Sequence, residues 1–134
     1  DMLKEVINSG TAKRAKRLKR SDIAGKTGTT NNLIDAWFAG YNPDIVTVTW
    51  MGYPQPKPLG KKETGSRAAL PIWIDYMESI LEDYPIKMLV EPEGILPLKV
   101  KEIDGTLASQ DEEGIYEYFY DEFLPQNNAY FMIN

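Results

Sequence analysis

Three apolar segments separated by short turn signals constrain the fold of this chain more than any other feature. The first segment begins with Asp22-Ile23-Ala24-Gly25 and continues into Lys-Thr-Gly. The second, residues 34–41, reads Ile-Asp-Ala-Trp-Phe-Ala-Gly-Tyr. The third, residues 45–52, reads Ile-Val-Thr-Val-Thr-Trp-Met-Gly. β-branched and aromatic residues favour strands, whereas Asn31-Asn32 and Asn42-Pro43-Asp44 between the segments favour turns. Because short turns join only antiparallel strands, the sequence predicts a three-stranded antiparallel meander.

A helix is predicted to follow this meander. Apolar residues recur there at the three- and four-residue spacing of one helical face; they are Ala68, Ala69, Ile72, Trp73, Tyr76, Met77, Ile80 and Leu81. Ser66 is the expected N-cap, and Pro71 falls in the first turn, where proline is tolerated. Trp73 is expected in the core against the sheet. The predicted fold class is therefore α/β (α+β), with antiparallel strands covered by a C-terminal helix.

The chain contains neither cysteine nor histidine among its 134 residues. By itself it therefore cannot build a Ser-His-Asp triad, a Cys-His dyad or a zinc site of His and Cys ligands, and no metal or cofactor is expected. No apolar run approaches the ~20 residues that a membrane-spanning helix requires. The first apolar residues, Met2, Leu3, Val6 and Ile7, have the spacing of one helical face, which suggests a start within a helix of a longer protein.

Charge is distributed unevenly along the chain. Residues 1–67 carry 12 Lys and Arg against 6 Asp and Glu, whereas residues 68–134 carry 3 against 14. Most of the positive excess lies in residues 13–20, which contain neither an interleaved aromatic residue nor a nucleic-acid-binding motif. We therefore predict that residues 13–20 form a solvated loop and that nucleic acid is not a partner.

The composition changes after the predicted helix. Residues 1–84 are assigned to one domain, and residues 85–134 to an acidic C-terminal tail with prolines at 85, 92 and 97. Asp104-Gly105 is a strong hairpin turn signal, so the tail is predicted to contain a β-hairpin formed by residues 98–103 and 106–109.

The motif with the clearest chemical meaning is Gly25-Lys-Thr-Gly-Thr-Thr30, on the first predicted strand. Such a strand can bind an extended peptide by strand addition, and Gly28 lets the ligand come close because it has no Cβ. The Lys26 ammonium and the Thr27 and Thr29 hydroxyls can hold a carboxylate, and the Thr29 N–H can face a developing oxyanion. A phosphate-binding P-loop is excluded, because it needs a glycine where Arg20 stands and a helix after the lysine.

Several further segments accompany this motif. They are Gly10-Thr-Ala12, Asp35-Ala-Trp-Phe-Ala-Gly-Tyr41, Val48-Thr-Trp-Met-Gly52 and Glu63-Thr-Gly-Ser-Arg-Ala-Ala-Leu-Pro-Ile-Trp73. Together with Gly25-Lys-Thr-Gly-Thr-Thr-Asn31, they closely resemble the class A (bifunctional) penicillin-binding proteins, strongly over residues 1 to 82 and more loosely to about residue 125. The resemblance implies the C-terminal part of a β-lactamase/transpeptidase-like fold, with residues 1–84 as the C-terminal part of the penicillin-binding transpeptidase domain.

The same resemblance implies a peptidoglycan synthase with a glycosyltransferase domain followed by a transpeptidase domain. A membrane anchor upstream would hold it at the periplasmic face of the inner membrane of the bacterial cell envelope. In such enzymes a serine on a Ser-x-x-Lys motif attacks the D-Ala-D-Ala end of a stem peptide, the acyl-enzyme passes to an amine of a neighbouring stem, and β-lactams trap the serine.

Carried onto this chain, the resemblance assigns Lys26 as catalytic and Lys26, Thr27, Gly28 and Thr29 as substrate-binding. The chain departs from the family pattern because it has no Ser-x-x-Lys and no Ser-x-Asn motif. It is therefore expected to supply one wall of the active site without the nucleophile, and to be inactive alone. Its expected partners are the rest of its transpeptidase domain, stem peptides and β-lactams.

Two alternatives remain open from the residues. The first is a fragment of a serine D,D-carboxypeptidase or β-lactamase, families that usually end soon after the terminal helix, whereas residues 85–134 follow it here. The second is a non-enzymatic domain that binds peptide C-termini through the Lys-Thr-Gly-Thr strand alone.

Overall fold

The computed structural model describes residues 2–88 and 90–125. The chain divides into two compact units, Asp1–Leu89 and Val90–Asn134. Spatial compactness does not identify a domain by its function, so the assignment of residues 1–84 to a transpeptidase domain remains a prediction.

The first unit is built on a three-stranded antiparallel sheet. Strands β1 (Ala24–Thr29), β2 (Ala36–Tyr41) and β3 (Val46–Met51) follow each other in the order β1-β2-β3. Thr27 lies opposite Phe38, and Trp37 lies opposite Trp50. The predicted meander is therefore confirmed, and the Lys-Thr-Gly-Thr motif lies on β1, an edge strand of this sheet.

One face of the sheet is covered by helix α2 (Leu70–Ile80). Trp73 is fully buried there, and its ring packs edge-on against Phe38 with 4.9 Å between ring centroids. Leu70, Ile74 and Met77 complete the buried face of α2. The prediction of Trp73 as a core residue is confirmed, and the mixed architecture with antiparallel strands covered by a helix is the predicted one.

The helix begins differently from the prediction. A single π-helical turn, Gly65–Ala69, precedes α2, and a 3₁₀ turn, Leu81–Asp83, follows it. Thr64 occupies the N-cap position, and its carbonyl accepts hydrogen bonds from the N–H groups of Arg67 and Ala68. Ser66 is therefore not the N-cap: it lies inside the first turn, and its hydroxyl is 2.9 Å from the Thr64 hydroxyl.

The start of the chain forms helix α1 (Met2–Asn8), of which Ile7 is buried. Residues 13–20, predicted as a solvated loop, contain a 3₁₀ helix, Lys13–Leu18. That prediction is wrong in part, because Arg17 contacts Asp75 and Glu78 on α2 and Arg20 forms a buried ion pair with Asp22. Asp75 and Glu78 on α2 thus neutralise Arg17, and Asp22, two residues further along the chain, neutralises Arg20. The longest described helix has 11 residues, and none of those described has the length and hydrophobicity of a membrane span.

The second unit contains strands β4 (Ile95–Val100) and β5 (Ile115–Tyr120), which pair antiparallel. The turn predicted at Asp104-Gly105 is present, since the Lys101 N–H donates to the Thr106 carbonyl. The predicted second strand, residues 106–109, is reduced to a single bridge between Val100 and Leu107. β4 instead pairs with β5, where its apolar side chains meet apolar partners, such as Val100 opposite Ile115 and Leu96 opposite Phe119.

Candidate functional site

The four predicted site residues lie on β1, but on two different faces of the sheet. Side chains of a strand alternate between faces, and residues directly opposite on neighbouring strands share a face. Thr27 lies opposite Phe38 and therefore shares the inner face with the core, as does Thr29. Lys26 lies opposite Ala39, and Gly28 lies opposite Trp37, on the outer face. The structure thus brings the Thr27 and Thr29 side chains together and places the Lys26 side chain on the other face.

Each of the two threonine hydroxyls has a partner within the chain. The Thr27 Oγ1 lies 2.8 Å from the Oγ1 of Thr11, in the segment that follows α1. The N–H of Gly65, at the start of the π-helical turn, donates to the Thr29 Oγ1 at 3.0 Å. The inner side of the motif is therefore held by two segments, one on each side of it in sequence.

Gly65 lies directly against the backbone of the sheet. A Cβ added to Gly65 would lie 2.4 Å from the Trp37 carbonyl oxygen and 2.5 Å from that of Gly28. Distances below 3.0 Å are not found for real Cβ atoms, so only glycine fits there. The turn thus touches β1 at Gly28 and hydrogen-bonds it at Thr29, which fixes the position of the motif strand.

Gly28 faces its own sheet. A Cβ on this residue would lie 3.1 Å from the Trp37 Cβ, close to the indole ring. The missing side chain at Gly28 therefore also leaves room for Trp37 on the neighbouring strand, and a larger residue at position 28 requires Trp37 to shift. Whether a ligand approaches Gly28 remains a prediction.

Lys26 is exposed on the outer face. Its Nζ donates to the carbonyl oxygen of Thr27 at 3.0 Å, and within the described ranges it forms no ion pair with an Asp or Glu. A lysine ammonium has three donors. Lys26 can therefore keep this backbone contact and still donate to a group that approaches the edge of β1.

An exposed apolar surface extends from Lys26 across the sheet. This outer face consists of Trp37, Ala39, Val46, Val48 and Trp50, which the strand register places on one side. Trp37 and Trp50 lie 6.0 Å apart between ring centroids, and the Trp50 Nε1 donates to Asp35 at 2.9 Å. Val46 and Val48 are 77% and 56% exposed, which is unusual for neighbouring valines on a sheet face.

No metal site accompanies the motif in the part of the chain that the structure describes. His, Cys, Asp and Glu side chains there form no group of three or more that could hold an ion. The chemistry available at β1 is therefore that of one ammonium, two hydroxyls and the backbone of an edge strand. These groups bind anions and carbonyl oxygens.

Comparisons with known proteins identify the family. No protein-family model matches the chain. Penicillin-binding protein 1A of Pseudomonas aeruginosa is 49% identical over 125 residues, which cover 92% of this chain and 15% of that protein. The Aquifex aeolicus penicillin-binding protein 1A is 47% identical over 115 residues, covering 86% of this chain and 16% of that protein. The crystal structure of penicillin-binding protein 1A from Haemophilus influenzae superimposes with a TM-score of 0.84 at 36% identity, covering 96% of this chain and 20% of that chain. The chain belongs to the penicillin-binding protein 1A family.

The chain thus spans about one sixth of the length of these relatives and matches a C-terminal part of penicillin-binding protein 1A. The predicted resemblance to class A penicillin-binding proteins is confirmed. So is the predicted fold class, since the chain superimposes on 20% of a solved penicillin-binding protein 1A and has the predicted mixed arrangement of antiparallel strands and a helix.

Two residues of this chain contact the motif but were not among the predicted site residues. Thr11 and Gly65 both occur in segments that carry the family resemblance, but neither spacing nor composition indicates their contacts with β1. In the sequence, Thr64-Gly65 lies just before apolar residues at helical spacing and therefore indicates only the start of a helix. Only the three-dimensional structure shows that Gly65 also supports Thr29.

Proposed function

We propose that this chain is part of a peptidoglycan D,D-transpeptidase that cross-links stem peptides by a serine acyl-enzyme mechanism. In this proposal β1 forms the wall of the active site that holds the terminal carboxylate of the stem peptide and stabilises the oxyanion. The observation that carries the proposal is the position of the motif. It lies on an edge strand, with two hydroxyls on one face of the sheet and an exposed ammonium on the other.

An edge strand is suited to this role because its second edge offers unpaired backbone groups to an extended peptide. β1 pairs with β2 along one edge, and no backbone hydrogen bond to its other edge is present among the described residues. A peptide added there runs beside Thr27 and Thr29, whose hydroxyls donate to its carboxylate. Lys26 supplies the positive charge that favours an anionic substrate and, near the serine of a Ser-x-Asn motif upstream, assists proton transfer.

The nucleophile comes from elsewhere in the full-length protein. None of the five serines in this chain is followed by lysine at the third position. The proposed enzyme therefore attacks the substrate with a serine upstream of residue 1, and the isolated chain is inactive. The full-length protein also carries a glycosyltransferase domain and a membrane anchor in this proposal, and acts at the periplasmic face of the inner membrane.

The rest of the transpeptidase domain is the proposed partner of the outer face. Exposed apolar patches of this kind mark interfaces, and the chain covers only 15% of its Pseudomonas aeruginosa relative. Stem peptides and β-lactams are the proposed small partners. Neither nucleic acid nor a cofactor has a role in this mechanism.

The test is acylation of the full-length protein by a fluorescent penicillin. Lys26→Ala is expected to slow acylation about 10²-fold or more, because a preorganised charge partner of the transition state is lost. Lys61→Ala, which removes an exposed lysine outside the motif, serves as the matched control and is expected to acylate at the wild-type rate.

Intact-mass spectrometry of the isolated chain complements this test. We expect a covalent adduct on the full-length protein and none on residues 1–134. Unchanged acylation in Lys26→Ala would contradict the role of Lys26. No adduct on either protein would contradict the enzyme proposal and favour a non-enzymatic domain that binds peptide C-termini.

A further inference from the structure

We propose that Thr11 is a positioning residue that directs the Thr27 hydroxyl hydrogen towards the carboxylate of the substrate, as the Gly65 N–H does for Thr29. This inference rests on the proposed function, because it concerns how β1 holds the carboxylate. It assigns a role to two residues that touch the motif without belonging to it.

The argument begins with the hydrogen-bonding capacity of a threonine hydroxyl. The hydroxyl has one hydrogen to donate and two lone pairs that accept. The Thr29 oxygen accepts from the Gly65 N–H at 3.0 Å. This bond uses a lone pair and leaves the single hydrogen available, so the Thr29 hydroxyl is oriented as a donor. An anion is the ligand that such a donor favours.

Thr27 reaches the same state through Thr11. Their oxygens lie 2.8 Å apart, so one hydroxyl donates to the other. When a carboxylate binds, the Thr27 hydrogen turns to the anion, and Thr11 must then donate to the Thr27 oxygen. The result is a chain from Thr11 through Thr27 to the carboxylate. In such a chain each hydrogen bond polarises the next and strengthens it.

The positions of Thr27 and Thr29 along β1 suit the binding of one carboxylate. Residues two apart on a strand advance by about 6.6 Å on the same face. A carboxylate that accepts one hydrogen bond of about 2.7 Å at each of its oxygens bridges a gap of this size. Thr27 and Thr29 are thus suited to donate one hydrogen bond to each oxygen of one carboxylate. The contacts with Thr11 and with the Gly65 N–H direct the hydrogens of the two hydroxyls towards it.

The backbone around Thr11 is anchored independently of its hydroxyl. The N–H of Ala12 donates to the Val6 carbonyl at 3.0 Å, and Ala12 is fully buried. Thr11 itself is exposed. Replacing its hydroxyl by a methyl group is therefore expected to remove the contact with Thr27 and leave the segment in place.

The experiment measures acylation of the full-length protein by benzylpenicillin and by its methyl ester, which lacks the carboxylate. Thr11→Val is expected to lower the second-order acylation rate constant for benzylpenicillin about five- to tenfold, the scale of one hydrogen bond. Its rate with the ester is expected to equal that of wild type. Thr11→Ser restores the hydroxyl and is expected to recover the wild-type rate with both probes.

A double-mutant cycle isolates the contact. In a Thr27→Val background, Thr11→Val is expected to have no further effect on acylation by benzylpenicillin, because its only route of action is gone. Any of three results would overturn the inference. The first is equal slowing of acylation by both probes in Thr11→Val, and the second is a Thr11→Ser protein that does not recover the wild-type rate. The third is an additive effect of Thr11→Val and Thr27→Val. Wild-type protein that is not acylated by either probe would overturn the proposed function as well, so the two failures are distinguishable.

Discussion

Gly65→Ala is expected to destabilise the full-length protein by about 3 kcal/mol or more, at the upper end of the cost of overpacking. The new methyl group would lie 2.4 Å and 2.5 Å from two carbonyl oxygens, and both belong to strands of the sheet. Neither can move aside as a flexible side chain does. Relief requires that the turn lift from the sheet, which also breaks the hydrogen bond from the Gly65 N–H to Thr29.

Thermal unfolding and fluorescent penicillin labelling, measured on the same samples, check this prediction. We expect a lower melting temperature together with slower labelling, since displacement of the turn disturbs Thr29. Ser66→Ala is the matched control: among the described residues, the hydroxyl that it removes is hydrogen-bonded to the Thr64 hydroxyl alone, and a change within about 1 kcal/mol is expected. A Gly65→Ala protein with the wild-type melting temperature would show that the turn does not rest on β1 as described.

Asp22→Ala is expected to cost about 3–5 kcal/mol, the scale of breaking a buried ion pair by removing one partner. The Asp22 side chain is fully buried, and that of Arg20 is 9% exposed. The Arg20 guanidinium donates to both carboxylate oxygens, at 2.9 Å and 2.6 Å, and also to the carbonyls of Leu81, Tyr84 and Pro85. The Lys87 N–H completes the contacts of Asp22. The pair therefore ties the segment after α2 to the residues that lead into β1.

The control for this variant is another carboxylate that pairs with arginine. Asp75 contacts Arg17 at the surface, where its side chain is 68% exposed. Asp75→Ala is expected to cost less than about 1 kcal/mol, because exposed ion pairs contribute little. Equal effects of Asp22→Ala and Asp75→Ala on the melting temperature of the full-length protein would contradict the role given to burial.

The Asp22 pair also predicts a pH dependence. Burial by itself raises the pKa of Asp22, but the hydrogen bond and charge of Arg20 and the Lys87 N–H outweigh it, and the net pKa is lowered. A carboxyl group with a lowered folded-state pKa stabilises the protein above its unfolded pKa of about 3.9, and this stabilisation is lost as the pH falls towards the folded-state value. The melting temperature of wild type is therefore expected to exceed that of Asp22→Asn by the largest amount at pH 6. This difference is expected to decrease below about pH 4.

The strands and the long helix were predictable because their signals are local. The alternation and β-branched content of residues 45–52 and the turn residues around them specify β3, and the meander follows from short connections. The helical spacing that places Trp73 in the core is equally local. In the second unit the local signal predicted the wrong partner for β4. Asp104-Gly105 forms its turn, but β4 pairs with β5, which follows later in the chain, because that register matches apolar side chains across the two strands.

The sequence by itself determined the family, the meander with its following helix and the identity of the motif strand, because these depend on residue types at short spacing. The tertiary structure alone decided which groups meet at that strand. Alternation along β1 separates Lys26 from Thr27 and Thr29, and long-range contacts bring Thr11 and Gly65 to the two hydroxyls. The contacts that the Arg20–Asp22 pair makes with the segment from Leu81 to Lys87 have the same origin. Such contacts join residues far apart in the chain, and their geometry is fixed only when the core packs.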